Sequence, residues 1–147
     1  MPSLSFTGLQ RVTVITNNYT YSDLHLDFSN PIVKDITTDY DEAAIKNSIN
    51  SLFNTLPGQN LLNPLYGLNL TQYLFEPVSQ STGNLIGKAI LNGLTVYEPR
   101  VTVQNININF NVDEQTYYID LNITMPYLNN KNVRIPGVLN KTGYTLS

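Results

Sequence analysis

A change of hydrophobic periodicity at Tyr97-Glu98-Pro99-Arg100 constrains the fold of this chain more than any other feature. Upstream, apolar residues recur at helical spacing, whereas downstream they alternate with polar residues as in a strand. Pro99 disfavours the α conformation at Glu98 and lacks an amide proton, so a helix must end at or before Tyr97. Glu98 and Arg100 then lie two residues apart on extended backbone. The simplest interpretation is a helix stop with a local ion pair.

Helical patterns occupy the middle of the chain. The first helix is predicted to open at residues 38–41, with Thr38 or Asp39 as its N-cap and an acidic first turn at Asp41 and Glu42. A Leu-Pro-Gly sequence at 56–58 ends it. The buried face of this helix is predicted to consist of Ile45, Ile49, Leu52 and Phe53.

Two further helices are predicted, a short one around residues 70–75 and the longest one over 79–96. Gly83, Gly87 and Gly93 each weaken the longest helix by roughly 1 kcal/mol relative to Ala, so close packing must offset that loss. One explanation is that Gly87 and Gly93 mark where the backbone of another helix approaches.

Beyond residue 100 the alternation predicts a β-hairpin with one apolar face and an Asn-rich outer face. The apolar positions change parity at Gln104-Asn105, which is typical of a β-bulge or a bend. Residues 113–116 are predicted to form the turn, and Pro126 ends the return strand. The alternating residues are Val101, Val103, Ile106, Ile108, Phe110 and Val112 on the first strand and Ile119, Leu121, Ile123 and Met125 on the second.

The two ends of the chain carry weaker patterns. Residues 1–38 are expected to form an extended N-terminal arm with short strands, and residues 129–147 a loop and a C-terminal tail. A chain of 147 residues is long enough for one domain with a core, which we place at 39–128. The predicted fold is α+β, with two or three helices packed on a small antiparallel sheet built on the C-terminal hairpin.

Composition excludes several classes of function. The net charge is −3 and only 13% of residues are charged, so binding to nucleic acid by phosphate neutralisation is not expected. Cysteine is absent and His25 is the single histidine, which excludes disulfides and multi-histidine metal sites; His25 is predicted on the solvent side of a strand. Because long apolar runs and a secretory pattern are absent, we expect no membrane contact and a cytosol-like site of synthesis.

The sequence leaves catalysis and assembly as two alternative functions. A cell-wall-degrading glycoside hydrolase needs two converging carboxylates, for which Glu42, Glu76 and Glu98 are candidates. Arg100 would favour the ionised form of Glu98, whereas a general acid must hold its proton. Phosphate-binding glycine loops, metal-ligand clusters and nucleophile elbows are missing from the sequence, so no cofactor or catalytic residue is predicted.

The alternative to catalysis is strand addition at the hairpin. Residues 100–125 would leave a sheet edge that few lysines guard, although natural monomers usually protect such edges. A strand from a partner could pair there through its backbone, unless the protein's own amino-terminal strands cover the edge.

The order of short motifs resembles the baseplate wedge and sheath-initiator family of contractile phage tails, also called the lysozyme-like baseplate wedge family. The similarity covers about residues 40–127. The matching motifs are Ala44-Ile45-Lys46-Asn47-Ser48-Ile49 with Leu52-Phe53, Thr55-Leu56-Pro57-Gly58, Asn63-Pro64-Leu65-Tyr66-Gly67-Leu68, Leu74-Phe75-Glu76-Pro77 and Tyr97-Glu98-Pro99-Arg100.

This resemblance implies a small structural α+β domain of the virion, assembled in the host cytoplasm, that joins the inner tail baseplate to the first ring of the sheath. Glu98, Pro99 and Arg100 are expected to contact the core-bundle proteins of the wedge. The hairpin is expected to template the tail sheath protein by strand addition, and neighbouring tube or wedge proteins are further expected partners. The hairpin residues expected at the partner interface are Ile106, Ile108, Phe110, Ile119, Leu121 and Ile123.

Overall fold

Helices precede a four-stranded antiparallel sheet in the computed structural model, which describes residues 19–24 and 38–147. A short strand pair stands apart from this sheet, in which the strands follow one another in chain order. The predicted α+β class is confirmed. In chain order the elements are β1 (Ser22–Leu24), β2 (Thr38–Tyr40), α1 (Asp41–Asn54), a 3-10 helix (Leu70–Phe75), α2 (Gln80–Tyr97), β3 (Thr102–Asn111), β4 (Thr116–Met125), β5 (Lys131–Asn140) and β6 (Gly143–Leu146).

Helix α1 begins later than predicted, so the assignment of Thr38 or Asp39 as N-cap is wrong. Both residues belong to β2, which pairs antiparallel with β1, and Tyr40 occupies the N-cap position without a side-chain capping bond. Long-range strand pairing therefore overrides the local capping preference. His25 and the other predicted strand residues before 19 and between 25 and 37 lie outside the described residues.

Asp41 forms hydrogen bonds that link the residues just before β1 to the start of α1. It adopts a left-handed backbone conformation at φ 49°, which Asp tolerates better than most residues. One of its carboxylate oxygens accepts hydrogen bonds from the backbone N–H groups of Thr20 and Tyr21, at 2.8 and 3.0 Å. Its own N–H group donates to the carbonyl of Tyr21 at 2.9 Å. Residues 20 and 21, which lead into β1, are thereby held at the start of α1.

The core lies between the helices and one face of the sheet, as the hydrophobic pattern predicts. The predicted stripe of α1 is confirmed, since all four of its residues are buried. Leu70 is buried at the start of the 3-10 helix, where a short second helix was predicted. The other large apolar side chains of the core are Ile86, Ile90 and Leu94 of α2 and Tyr117, Ile119, Leu121, Ile123, Met125, Val133, Ile135, Leu139 and Tyr144 of the sheet.

The glycines of α2 make room for side chains from other elements. The prediction that another helix backbone approaches Gly87 and Gly93 is therefore wrong. A methyl group at Gly93 would overlap the side chain of Leu68, which comes from the loop before the 3-10 helix. A methyl group at Gly87 would lie 3.4 Å from Cδ1 of Ile108 on β3. These glycines therefore let a loop and a strand pack closely against α2.

The hairpin forms with the predicted bulge, because the register of β3 against β4 shifts between Val103 and Asn105. Val112 departs from the prediction, since it lies in the turn and is exposed.

The prediction of a loop and a tail after residue 128 is also wrong. Strands β5 and β6 complete the sheet there, because residues 131–139 pair with residues 117–125 of β4 and residues 137–140 pair with β6. The proposed domain boundaries at 38 and 128 stay a prediction.

Candidate partner-binding site

Glu98 ends α2 and turns its side chain into the protein. Its backbone N–H donates to the carbonyl of Leu94 at 2.9 Å, and its φ and ψ of −129° and 69° leave the helical region. Tyr97 is the last helical residue, as Pro99 predicts. The Glu98 side chain is 2% exposed, which makes it a buried carboxylate that needs a partner.

Arg100 supplies that partner through a bidentate ion pair. Its Nε donates to Oε1 of Glu98 at 2.5 Å, and its Nη2 donates to Oε2 at 2.7 Å. Hydrogen bonding to Glu98 raises the pKa of the Arg100 guanidinium, which is 23% exposed. The predicted local ion pair is therefore present, and its acidic half is buried. Residues 98–100 are called the Glu-Pro-Arg junction below.

A third charged residue, Asp23 of β1, completes this cluster. Arg100 Nη1 donates to Oδ2 of Asp23 at 2.9 Å, and the guanidinium carbon lies 5.4 Å from the centre of the Tyr21 ring. Three of the five N–H groups of Arg100 are thus engaged within the chain. Asp23 and Tyr21 were missed by the sequence analysis, because no local pattern links a residue to a partner 77 positions away.

An open groove of about 550 Å³ adjoins the Glu-Pro-Arg junction. The side of α1 lines it with Asn47, Ser48 and Ser51. Tyr66 and Tyr97 form another wall, with ring centres 5.4 Å apart in an edge-to-face arrangement. Burial raises the pKa of Tyr66, so this hydroxyl stays protonated through the neutral range. Besides these hydroxyl and amide side chains, the groove is lined by the charged cluster of Asp23, Glu98 and Arg100 and by the apolar side chains of Leu24 and Pro99.

The candidate carboxylates for hydrolysis either bind basic side chains or lie outside the groove that contains Glu98. Glu42 accepts hydrogen bonds from Lys46 at 2.7 Å and Lys131 at 2.5 Å, and the bond to Lys131 is the main cause of its lowered pKa. Glu76 is exposed after the 3-10 helix, and neither Glu42 nor Glu76 lines the groove that contains Glu98. Within residues 19–24 and 38–147, acidic side chains form no group that could hold a metal ion.

The hairpin residues predicted to meet a partner face the protein's own helices. Those on β4 (Ile119, Leu121 and Ile123) are fully buried. Strand β4 lies between β3 and β5, so both sides of its backbone are paired. Those on β3 (Ile106, Ile108 and Phe110) are half-buried against the core. A partner could therefore reach the hairpin at β3, and the interface role of the six residues stays a prediction.

The two edges of the sheet differ. At one edge, the side chain of Asn54 covers β6: its Nδ2 donates to the carbonyl of Tyr144 at 2.9 Å, and its Oδ1 accepts from the Tyr144 N–H at 3.1 Å. The opposite edge is β3, ten residues long, which pairs with β4 alone among the described strands. No charged residue lies between Val101 and Val112. This edge lacks the charged guards that natural sheets commonly use.

A buried ion-paired junction and an uncharged sheet edge define a small structural α+β domain suited to contacts with other chains. The chain belongs to the family described as baseplate wedge protein gp25, whose model matches residues 39–130. The resemblance inferred from its motifs is thereby confirmed, and the protein is a structural component of a phage tail baseplate.

Two known proteins illustrate this similarity. The baseplate wedge protein gp25 of Enterobacteria phage T4 is 25% identical over 108 residues, which cover 74% of this chain and 82% of that protein. The crystal structure of a putative tail lysozyme from Geobacter sulfurreducens is 20% identical and superposes with a TM-score of 0.56, over 63% of this chain and 83% of that one. The second likeness concerns the fold. Among the described helices, none is long and apolar enough to span a bilayer.

Proposed function

We propose that this protein is a non-enzymatic wedge component that joins the inner baseplate to the contractile sheath. The Glu-Pro-Arg junction would contact the core-bundle proteins of the wedge, and the edge of β3 would template the first strands of the sheath protein. The outer edge of β3 carries this proposal, because this uncharged strand of ten residues pairs on one side with β4 and has no described strand on its other side. Unpaired backbone groups in such a row readily accept an added strand.

The difference between the two sheet edges supports this assignment. Asn54 satisfies backbone groups of β6 that would otherwise be free to pair with another chain. On β3, the outward side chains of Asn105, Asn107 and Asn109 add polar groups without charge repulsion. Strand addition at β3 therefore meets no charged side chain on the strand itself.

The edge is tested by placing a charge on it. We expect baseplates that contain Asn107→Lys or Asn109→Lys to form normally but to carry at least tenfold fewer sheaths, since lysine on an edge strand disfavours pairing. Asn92→Lys on the exposed side of α2 is the matched control. Electron microscopy of reconstituted tails would count the sheaths. Full-length sheaths on the Asn107→Lys baseplates would contradict template addition at β3.

The junction is tested at Pro99, because the charged residues around it also hold the fold together. Pro99 is exposed and lines the groove, so Pro99→Lys should disturb a partner surface while leaving the ion pair of Glu98 and Arg100 intact. Pro126→Lys, in the exposed turn after β4, is the control. We expect the Pro99 variant to fold normally but to be missing from purified wedges. Normal incorporation would argue against a wedge contact at this junction.

The absence of hydrolase activity is tested directly. We expect purified protein to release no peptidoglycan fragments, since Glu98 is committed to Arg100 and Glu42 to two lysines. The comparison variants are Glu98→Gln, Glu42→Gln and Glu76→Gln. Robust release by the unmodified protein that disappears in one of these variants would overturn the non-enzymatic assignment.

A further inference from the structure

We propose that α2 and β3 together select the strand that adds to the sheet, through a groove that takes small apolar side chains and a carboxylate. This proposal rests on the proposed function, because it specifies the chemistry of the segment that β3 would receive. The groove measures about 710 Å³ and is called the α2–β3 groove. It lies away from the Glu-Pro-Arg junction and shares no lining residue with the groove there.

The lining shows that this groove follows the outer edge of β3. Residues 103–108 contribute consecutive positions, so side chains from both faces of the strand border it, and no residue of β4 does. At about 3.3 Å per residue this stretch is roughly 20 Å long. The opposite wall is one side of α2, from Gln80 to Leu91. A strand added to β3 would therefore place its inward side chains beneath α2.

Two glycines of α2 line the groove where the helix approaches β3. Gly83 and Gly87 lie one helical turn apart and face Ile108, whose Cγ2 and Cδ1 would be 3.7 and 3.4 Å from methyl groups at these positions. Helix α2 consequently sits close to β3. Leu91, 45% exposed, provides an apolar surface at one end of this wall. Because α2 lies this close to β3, we expect Ala, Val, Thr or Ile at the inward positions of an added strand rather than large aromatic rings.

One charged side chain of the groove determines which charge the added segment should carry. Lys88 is the one charged residue among those that line the groove in the described part of the chain, and its side chain is exposed. An aspartate or glutamate on the added segment would complement it, whereas a lysine or arginine would be repelled. On the outer face, the row of Asn105 and Asn107 favours Asn, Gln, Thr or Ser from the partner. The occupant is thus a weakly acidic, amide-rich extended segment.

The test distinguishes selection by the side chains of the groove from pairing with the backbone edge of β3. Baseplates are assembled with full-length Asn84→Trp, which fills the groove, or with Lys88→Glu, which reverses its charge. Both positions are exposed on α2 and leave the β3 backbone untouched. Asn92→Trp, outside the groove on α2, and Lys141→Glu, in the turn between β5 and β6, are the matched controls. We expect sheath assembly by purified sheath protein to fall at least tenfold for both groove variants and less than twofold for the controls.

The results that would overturn selection by the groove differ from those that would overturn the proposed function. Loss of sheaths with Asn107→Lys but not with Asn84→Trp or Lys88→Glu would overturn selection by the groove and leave strand addition standing. Unimpaired sheaths with all three variants would overturn both proposals. Hydrogen exchange of the free full-length chain supplies a further check. Protection of outward amides along β3 before any partner is added would show that the chain itself fills the groove, which would also overturn the inference.

Discussion

Arg100 binds both carboxylate oxygens of Glu98, at 2.5 Å through Nε and at 2.7 Å through Nη2, while the Glu98 side chain is almost fully buried. This pair stands where α2 ends and the chain turns toward β3. The junction is therefore part of the fold as well as a candidate contact surface.

Removal of Arg100 should destabilise the isolated domain. Arg100→Ala leaves the Glu98 carboxylate buried without its cation, a change that typically costs about 3–5 kcal/mol. Adding Glu98→Gln to Arg100→Ala removes the uncompensated charge and should recover part of the loss. Urea unfolding followed by circular dichroism would measure both free energies. Equal stability of Arg100→Ala and the unmodified protein would contradict the importance of this pair.

Removal of Asp23 should loosen the strand pair before α1 without unfolding the domain. Asp23 is 42% exposed, and Arg100 keeps its two bonds to Glu98 in Asp23→Asn. A pair this exposed contributes about 0–1 kcal/mol. Amide hydrogen exchange should accelerate in β1 and β2 and stay unchanged in β4. Asp113→Asn, in the exposed hairpin turn, serves as the comparison. Slower or unaltered exchange in β1 would refute the link between Asp23 and this pairing.

Asn54 should be needed for stability at the β6 edge. Asn54→Ala removes two hydrogen bonds to the backbone of Tyr144 and leaves part-buried groups to find other partners. The expected loss is about 1–3 kcal/mol. Asn92→Ala on the exposed side of α2 should change the free energy of unfolding far less. Similar values for the two variants in thermal or urea unfolding would argue against the capping role of Asn54.

The stability of the protein should fall at high pH through Tyr144. Burial raises the pKa of this hydroxyl to about 12, against about 10 in the unfolded chain. Because the pKa of Tyr144 is higher in the folded protein than in the unfolded chain, its contribution to the free energy of unfolding is fully present below pH 10. This contribution is lost as the pH rises toward 12. The loss amounts to about 2–3 kcal/mol.

Tyr144→Phe isolates this effect. The Tyr144 hydroxyl is buried and has no hydrogen-bond partner among the described residues, so its removal should leave stability at pH 7 unchanged or slightly higher. The variant should lose less stability than the unmodified protein between pH 10 and 12. Tyr127→Phe, at an exposed position, is the control. Parallel pH profiles for Tyr144→Phe and the unmodified protein would disprove the assignment.

Several features were predictable because they depend on nearby residues. Pro99 cannot continue a helix, so the end of α2 at Tyr97 follows from local stereochemistry. The change of parity around Gln104 predicted the bulge, since side chains on a strand alternate between faces. The motifs carrying the family resemblance also lie within continuous segments of the chain. The site residues Glu98, Pro99 and Arg100 were therefore identified together.

The C-terminal strands were missed because their local signals oppose strand formation. Pro136 cannot donate to a sheet ladder, yet it lies within β5, opposite Asp120 of β4 and next to the first residue that pairs with β6. The Pro136-Gly137 pair indicates a turn in the sequence, but a side chain at position 137 would overlap the ring of Tyr144. Packing of an aromatic ring from the neighbouring strand β6 thus explains a glycine that sequence patterns assign to a loop.

The sequence by itself determined where helices stop, which faces are apolar and where the hairpin bends, because these depend on backbone stereochemistry and side-chain periodicity. The tertiary structure decided that Asp23 meets Arg100 and that Asn54 covers β6. It also decided that β3 and β6 are the edge strands of the four-stranded sheet among the described residues. Pairing between distant residues depends on how strands and helices pack in space, and that arrangement leaves no periodic signal along the chain.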